Sequence, residues 1–290
     1  MIEGYIIHLL ILIGVYIVLA VGLNLSIGFT GLLNLGHIAF FGIGAYTSAI
    51  LQLAGVPFII SFFLAGVVAS LFGLLLVVGT RNLKGDYFAL ATLGFSFVVY
   101  SVFLNWTQVT RGPLGIPGIP KPELFGLRIA DNFSYLLFVT ITVFFVVMFV
   151  WKLATSRYGK LLEAVRDDEI ALRLLGKNTF KLKAQSMMVS AFCAGIAGSL
   201  FAHYITYIDP SSFFLSEIIL VVTIVMIGGL ASIRGSIFAT VLILLIPEAL
   251  RFVALPSSMI GPTRQIIYAV LLLCVLLLRP RGLFGKVDLE

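Results

Sequence analysis

The sequence predicts an all-α fold, a polytopic transmembrane helical bundle of about eight or nine spans with a broken second span. Three observations carry this reading. Of 290 residues, 60% are hydrophobic and only 11% are charged, whereas a soluble globular chain is ~25% charged. The polar surface is too small to cover that apolar content in water, so the solvent is lipid. The apolar runs continue without alternation over the ~20 residues a helix needs to cross the hydrocarbon, whereas outer-membrane strands alternate over ~10 residues. Basic residues, finally, gather in alternate connections between the runs.

Taken in order, apolar segments lie at about 5–27, 31–53, 57–79, 86–104, 133–151, 184–206, 216–233, 235–254 and 263–279. The opening MIEGYIIHLLILIGVYIVLA has no basic leader and no small-residue cleavage site. It therefore reads as a retained span and not as a removed signal peptide.

The stretch Gly22–Tyr46, GLNLSIGFTGLLNLGHIAFFGIGAY, holds six glycines together with Asn24, Asn34 and His37. Gly in a helix interior costs ~1 kcal/mol relative to Ala, so an unbroken lipid-facing helix is not expected here. Irregular backbone at this depth is tolerated where it is buried in protein or lines a cavity, and transporters place discontinuous helices beside substrate. Two readings follow. One is a close-packed seam of small residues, with the amides bonded to neighbouring backbone. The other is a broken span lining a translocation path, with Asn24, Asn34 and His37 as its polar contacts.

The connection 105–132 contains TRGPLGIPGIPKPELFG, whose four prolines and four glycines favour turns and extended backbone over helix. It is either an irregular connector or a shaped surface that a partner meets. Further on, Ala191, Gly195 and Ser199 recur every four residues, with Ala194, Gly198 and Ala202 beside them. Small residues at that spacing let helix backbones approach closely in lipid, which predicts bundle packing.

The connection 152–183 carries eight of the 19 Lys and Arg, and twelve of the charged residues. The positive-inside rule places it in the cytoplasm. Counting spans from there puts the Arg81–Lys84 turn, Arg234 and the tail with Arg279, Arg281 and Lys286 on the same side; 105–132 and 205–216 fall outside. Within GKLLEAVRDDEIALRLLGKNTFKLK, Asp167 is expected to cap a short helix at about 168–175. Asp168 and Glu169 would occupy its first turn, Gly176 would end it, and Lys177 would suit its negative end. Asp168, Ala171, Leu172 and Leu175 would share one face, beside Glu169 and Arg173. So short a helix is marginal alone: its leucines rest either on the protein's own membrane ends or in a groove of a cytoplasmic partner.

Several classes are disfavoured. Cys193 and Cys274 sit within apolar runs, and His8, His37 and His203 have no metal-ligand spacing. ALRLLGKN lacks the leading Gly and the closing Ser/Thr of a phosphate-binding loop, so any ATPase is another chain. HExxH, GxSxG and CxxC are absent, which argues against an enzyme. Glu217, Glu248, Arg251, Arg234 and Asp86 lie near predicted span ends, where snorkelling or local pairing accommodates them. No row of buried carboxylates marks a proton-coupled carrier, although an ion-coupled secondary carrier stays open as an alternative.

Five stretches together resemble one family: GLNLSIGFTGLLNLGHIAFFGIGAY, RGPLGIPGIP, EAVRDDEIALRLLGKN, YIDPSSFFLSEIILVVTIVMIGGLASIRGSIFAT and RPRGLFG. The chain is similar to the LivM-type permease subunits of bacterial branched-chain amino acid ABC importers. That resemblance implies one permease domain over 1–290, in the bacterial inner membrane, importing Leu, Ile or Val by alternating access. It implies a second related permease, two cytoplasmic ATPase subunits that bind ATP and Mg, and an extracytoplasmic substrate-binding protein. No cofactor is implied for this chain itself. Within 152–183, Glu163, Arg166, Asp167, Asp168, Glu169, Arg173 and Gly176 match the coupling segment that meets the ATPase. Related permeases carry urea, amides or other amino acids, so these remain alternative solutes.

Overall fold

The computed structural model describes residues 2–83, 85–124, 127–129, 131–250, 257–278 and 281–285. The expectations placed on Lys84, Arg251, Arg279 and Lys286, and on the side chain of Glu248, fall outside what is described. Each predicted span contains a helix. α1 (Ile2–Asn24), α2 (His37–Leu53), α3 (Phe58–Gly79) and α4 (Asp86–Asn105) form the first group. A single turn, α5 (Thr107–Thr110), follows, and after it come α6 (Asn132–Thr155), α7 (Arg157–Asp167), α8 (Glu169–Leu174) and α9 (Thr179–Ile205). α10 (Leu215–Gly228), α11 (Ile233–Leu250) and α12 (Ser257–Leu278) complete the chain.

Among the described residues six helical stretches are long and apolar enough to cross a membrane: Glu3–Phe29, Phe58–Gly79, Asp86–Asn105, Asn132–Thr155, Thr179–Ile205 and Pro210–Gly228. His37–Leu53, Ile233–Ile246 and Ile266–Val275 are shorter apolar helices. The protein is a multi-pass membrane bundle. α3, α4 and α6 turn large apolar side chains outward along their length, among them Leu71, Leu75, Leu90, Val98, Leu137 and Phe144. Lipid can cover such faces and water cannot.

The centre of the bundle is α9, packed on α2, α3 and α1. The predicted small-residue stripe makes this possible. A side chain on Gly44 of α2 would run into the backbone of Gly195 on α9, and one on Gly195 would meet the Ala65 carbonyl of α3. Three helices therefore approach to backbone contact at one level.

The irregular backbone predicted in the second span lies at its beginning. α1 runs into a π-helical turn, Leu25–Phe29, and residues 31–36 are non-helical before α2 begins at His37. A second interruption separates α10 from α11 at 229–232, where Ala231 adopts φ +58°. A non-glycine residue in that region is uncommon and is held by its surroundings.

At one end of the bundle, β1 (Ile116–Pro117) pairs antiparallel with β4 (Tyr207–Ile208), with Ile116 opposite Ile208. β2 (Glu123–Leu124) pairs with β3 (Leu127–Arg128) in the same connection. The predicted extended backbone is thus present, with α5 as a short helical addition. The other end is basic: it holds α7, α8 and the turn after α3, where the Arg81 guanidinium lies 5.0 Å from the Phe180 ring centroid.

Candidate functional site

The basic end differs from expectation in having two helices where the sequence predicts one. Ser156 caps α7, its Oγ accepting from the Tyr158 and Gly159 N–H groups at 3.2 and 3.3 Å. Leu162 and Val165 turn inward from α7 and are buried. That amphipathic packing carries the helix on through Asp167, so Asp167 is its last residue and does not cap the next. The cap of α8 is Asp168, whose Oδ1 accepts from Ile170 N–H at 2.9 Å and Ala171 N–H at 3.0 Å. Asp167 instead accepts from Arg166, with both Nε and Nη2 at 2.8 Å from Oδ1.

The predicted end of α8 is at Gly176, which adopts φ +74°. Its N–H donates to Arg173 O at 2.9 Å and that of Lys177 to Leu172 O at 3.2 Å, the two bonds of a Schellman cap. The expected face of α8 splits. Leu172 is buried, whereas Ala171 and Leu175 face outward. The helix ends at Leu174, so Leu175 leaves on the capping turn and does not continue the inward row. Ile170, Leu174 and Leu175 are 66%, 84% and 76% exposed, an apolar knob on a charged surface.

Glu169 anchors that knob. Its Oε1 accepts from Arg173 Nη2 at 2.5 Å and Thr179 Oγ1 at 3.0 Å, and its Oε2 from Lys183 Nζ at 2.6 Å. Burial pushes the carboxyl up, but the Lys183 bond and charge, with Thr179 and Arg173, hold it below its ordinary range. Arg173 Nε also donates to Thr179 Oγ1 at 2.9 Å. α8 is thereby fixed to the first turns of α9. Glu163 is partly buried on α7.

Asn24, Asn34 and His37 are each fully buried. Asn24 bridges the two interruptions. Its Nδ2 lies 2.7 Å from Ser236 Oγ, 3.1 Å from Ser232 O and 3.3 Å from Gly229 O, and its Oδ1 accepts from Ala231 N–H at 3.0 Å. Asn34 Oδ1 accepts from Gly36 N–H at 3.1 Å, while its Nδ2 faces Met187 Sδ at 3.4 Å. His37 Nε2 lies 3.1 Å from the Leu19 carbonyl, which places a proton on Nε2, and Nδ1 faces Ser190 Oγ at 3.4 Å. Asn24 thus looks toward α11, Asn34 toward α9, and His37 lies between α1 and α9. The three do not converge on a single point.

The basic end and the polar seam are joined. Arg166 Nη1 donates to the carbonyl of Gly28, inside the π-helical turn, at 2.8 Å. Sequence reasoning missed this contact, and it missed a hydroxyl ladder beside it. Thr30 Oγ1 is 2.5 Å from Ser186 Oγ, and Ser190 Oγ is 3.3 Å from Ser26 Oγ. The four-residue spacing of Ser26 with Thr30, and of Ser186 with Ser190, was the available signal. Deeper in the bundle, Ser48 Oγ lies 2.7 Å from Ser199 Oγ and 2.8 Å from His203 Nε2. Glu217 takes the local pairing expected of it, accepting from Tyr16 Oη at 2.6 Å.

A family described as the permease component of branched-chain amino acid transport systems matches residues 5–276. The chain belongs to this family. It is 37% identical over 294 residues to the high-affinity branched-chain amino acid transport system permease protein LivM of Salmonella typhimurium, covering 93% of this chain and 67% of that one. The LivM protein of Escherichia coli K12 is 36% identical with the same coverage. The S. typhimurium LivH permease is 27% identical over 95% of this chain and 92% of its own. No solved structure matches the chain. The family match includes the α7–α8 segment, the π-helical turn and the α10–α11 interruption.

Proposed function

We propose that this permease is the membrane subunit of an ATP-driven importer of Leu, Ile and Val, forming the translocation path by alternating access. The whole chain, 1–290, is one transmembrane domain with the basic end and C-terminus in the cytoplasm. Its partners are a second, related permease, two ATPase subunits that bind ATP and Mg, and an extracytoplasmic binding protein. The names of the LivM and LivH relatives support the substrate and the permease pair.

One observation carries the coupling role: the exposed Ile170, Leu174 and Leu175 on a short helix locked in place by Glu169. Burying one such side chain stabilises by ~1.5–3 kcal/mol, so three leave a large gain for a partner with a matching groove. The contact supplies no chemistry; it is a lever. Movement of α7 and α8 reaches the π-helical turn through Arg166 and Gly28, and the α10–α11 interruption through Asn24. Glu163, Asp167, Asp168, Arg173 and Gly176 shape and hold this lever, and Asn24, Asn34 and His37 border the path it opens.

The test is co-expression with candidate ATPase, permease and binding-protein chains, purification, and uptake of labelled Leu, Ile and Val in vesicles. ATP-dependent uptake that needs all partners is expected. Uptake that survives ATP depletion but collapses with the ion gradient would instead assign a secondary carrier.

A further inference from the structure

A cavity of about 450 Å³ lies behind α8, between it, the turn after α3 and the start of α9. Arg81, Arg173, Lys177 and Lys183 line it against a single carboxylate, Glu169. That carboxylate is already shared between Arg173 and Lys183. Among the described residues no carboxylate lies within 4.0 Å of Arg81 or Lys177. Arg81 is held by Phe180, whose ring it covers. Two cations, Arg81 stacked on Phe180 and the exposed Lys177, therefore face one half-open cleft with no carboxylate partner among the described residues, and the N-terminal turn of the long helix α9 also lines it. Both the charges and the helix terminus favour an anion with several oxygens.

Position selects the kind of anion. Arg81 follows immediately on α3, an apolar span that ends at Gly79, and Lys183 lies in the second turn of α9. This is the level at which the spans leave hydrocarbon, where headgroup phosphates are concentrated. Leu83 and Phe180 add apolar surface to the same cavity, which suits an amphiphile better than a free ion. We propose that the cavity behind α8 binds the phosphate of an anionic phospholipid headgroup, bracing α8 against α3 and α9. The inference goes beyond the transport reading and does not depend on it.

The test is native mass spectrometry of the full chain in detergent with mixed phosphatidylglycerol and phosphatidylcholine. The Arg81→Gln, Lys177→Gln double variant is compared with Lys160→Gln on the exposed side of α7, and with the charge-retaining Arg81→Lys, Lys177→Arg pair. Each cation that faces the headgroup strengthens anionic-lipid binding about fivefold, so the double Gln variant should retain phosphatidylglycerol roughly twenty-five-fold more weakly. Lys160→Gln and the charge-retaining pair should retain it as the parent does. Equal retention in every variant, or the same loss in Lys160→Gln, overturns the site. Retention of inorganic phosphate with no bound phosphatidylglycerol shows a free-phosphate site and overturns the lipid assignment. Unchanged lipid retention with lost ATPase association in the double Gln variant gives the cavity to a protein carboxylate, which also overturns it.

Discussion

Arg166 and Gly28, 138 residues apart in the chain, meet through a 2.8 Å hydrogen bond from the guanidinium Nη1 to the Gly28 carbonyl. The donor sits on α7 at the basic end, and the acceptor lies in the π-helical turn that ends the first span. Four residues before Gly28 is Asn24, which bonds to both sides of the α10–α11 interruption. A side chain at Gly28 would collide with Asn24 Oδ1 and the Ala231 nitrogen. The α7 contact at the basic end and the buried seam are thus consecutive contacts in one packed unit.

Arg166→Gln should uncouple that unit without unfolding it. A hydrogen bond from a charged group is worth ~1.5–3 kcal/mol, so ATP-dependent uptake should fall about tenfold with normal membrane insertion. Arg166→Lys should recover part of the loss, since one ammonium can reach Gly28 O or Asp167 but cannot reproduce the planar fork that serves both. Uptake in vesicles with ATPase stimulation measured in parallel checks this. Unchanged coupling in Arg166→Gln would remove Arg166 from the lever.

Asn24→Ala strips partners from a buried backbone N–H at Ala231 and from a cluster of buried acceptors. An unsatisfied buried group costs ~1–3 kcal/mol, so thermal unfolding in detergent should shift down by several degrees. The positive φ of Ala231 sharpens the expectation, because the Asn24 carboxamide is what holds that residue. Asn34 and His37 make fewer and longer bonds, so Asn34→Ala and His37→Ala should shift the transition less. A loss of uptake in Asn24→Ala with an unshifted transition would favour direct contact with substrate over support of the seam.

These two variants also mark where the sequence was legible. Continuous apolar runs announced each of the six crossing-length helical stretches among the described residues, because length and hydropathy act locally along a helix. Gly195 and its stripe announced close helix packing along α9, because small residues at four-residue spacing have one common use in lipid, but did not name α2 and α3 as its partners. The cap of α8 fell one residue late, at Asp168, because Leu162 and Val165 draw α7 onto the bundle, and that packing is tertiary. Arg166–Gly28 could not be read, and for Thr30–Ser186 the four-residue hydroxyl spacings were legible but the pairing was not. Each joins residues more than a hundred positions apart, and nothing in either segment names its partner.

Leu174 and Leu175 separate docking from folding. Both are exposed and fall outside the buried core, so Leu174→Ser with Leu175→Ser should leave thermal unfolding within about 0.5 kcal/mol of the parent. The same pair should lose co-purification with the ATPase, because the knob they form is the apolar part of the surface. Leu172→Ser is the contrasting variant: Leu172 is buried, so its loss should lower stability first. Retained ATPase binding in the double serine variant would place docking on another part of the basic end.

Glu169 gives the basic end a pH dependence of known sign. Its folded carboxyl titrates below the ordinary range, because the Lys183, Thr179 and Arg173 contacts outweigh the opposing effect of burial. A depressed folded value means the stabilisation is complete above the unfolded pKa, near ~4.3, and is lost as pH falls through the folded value. At neutral pH α8 is fully anchored, and acidification protonates Glu169 and frees Arg173 and Lys183. Water reaches part of this network and screens it, so the effect should be local and should not unfold the bundle. Amide exchange, corrected for its intrinsic pH dependence, should show protection of Ala171 and Leu172 falling as acidification passes below the ordinary carboxylate range. Glu169→Gln should begin with weaker protection and respond little to the same change, because it has no charge to lose. Equal acid sensitivity in parent and variant would remove Glu169 as the source of the transition.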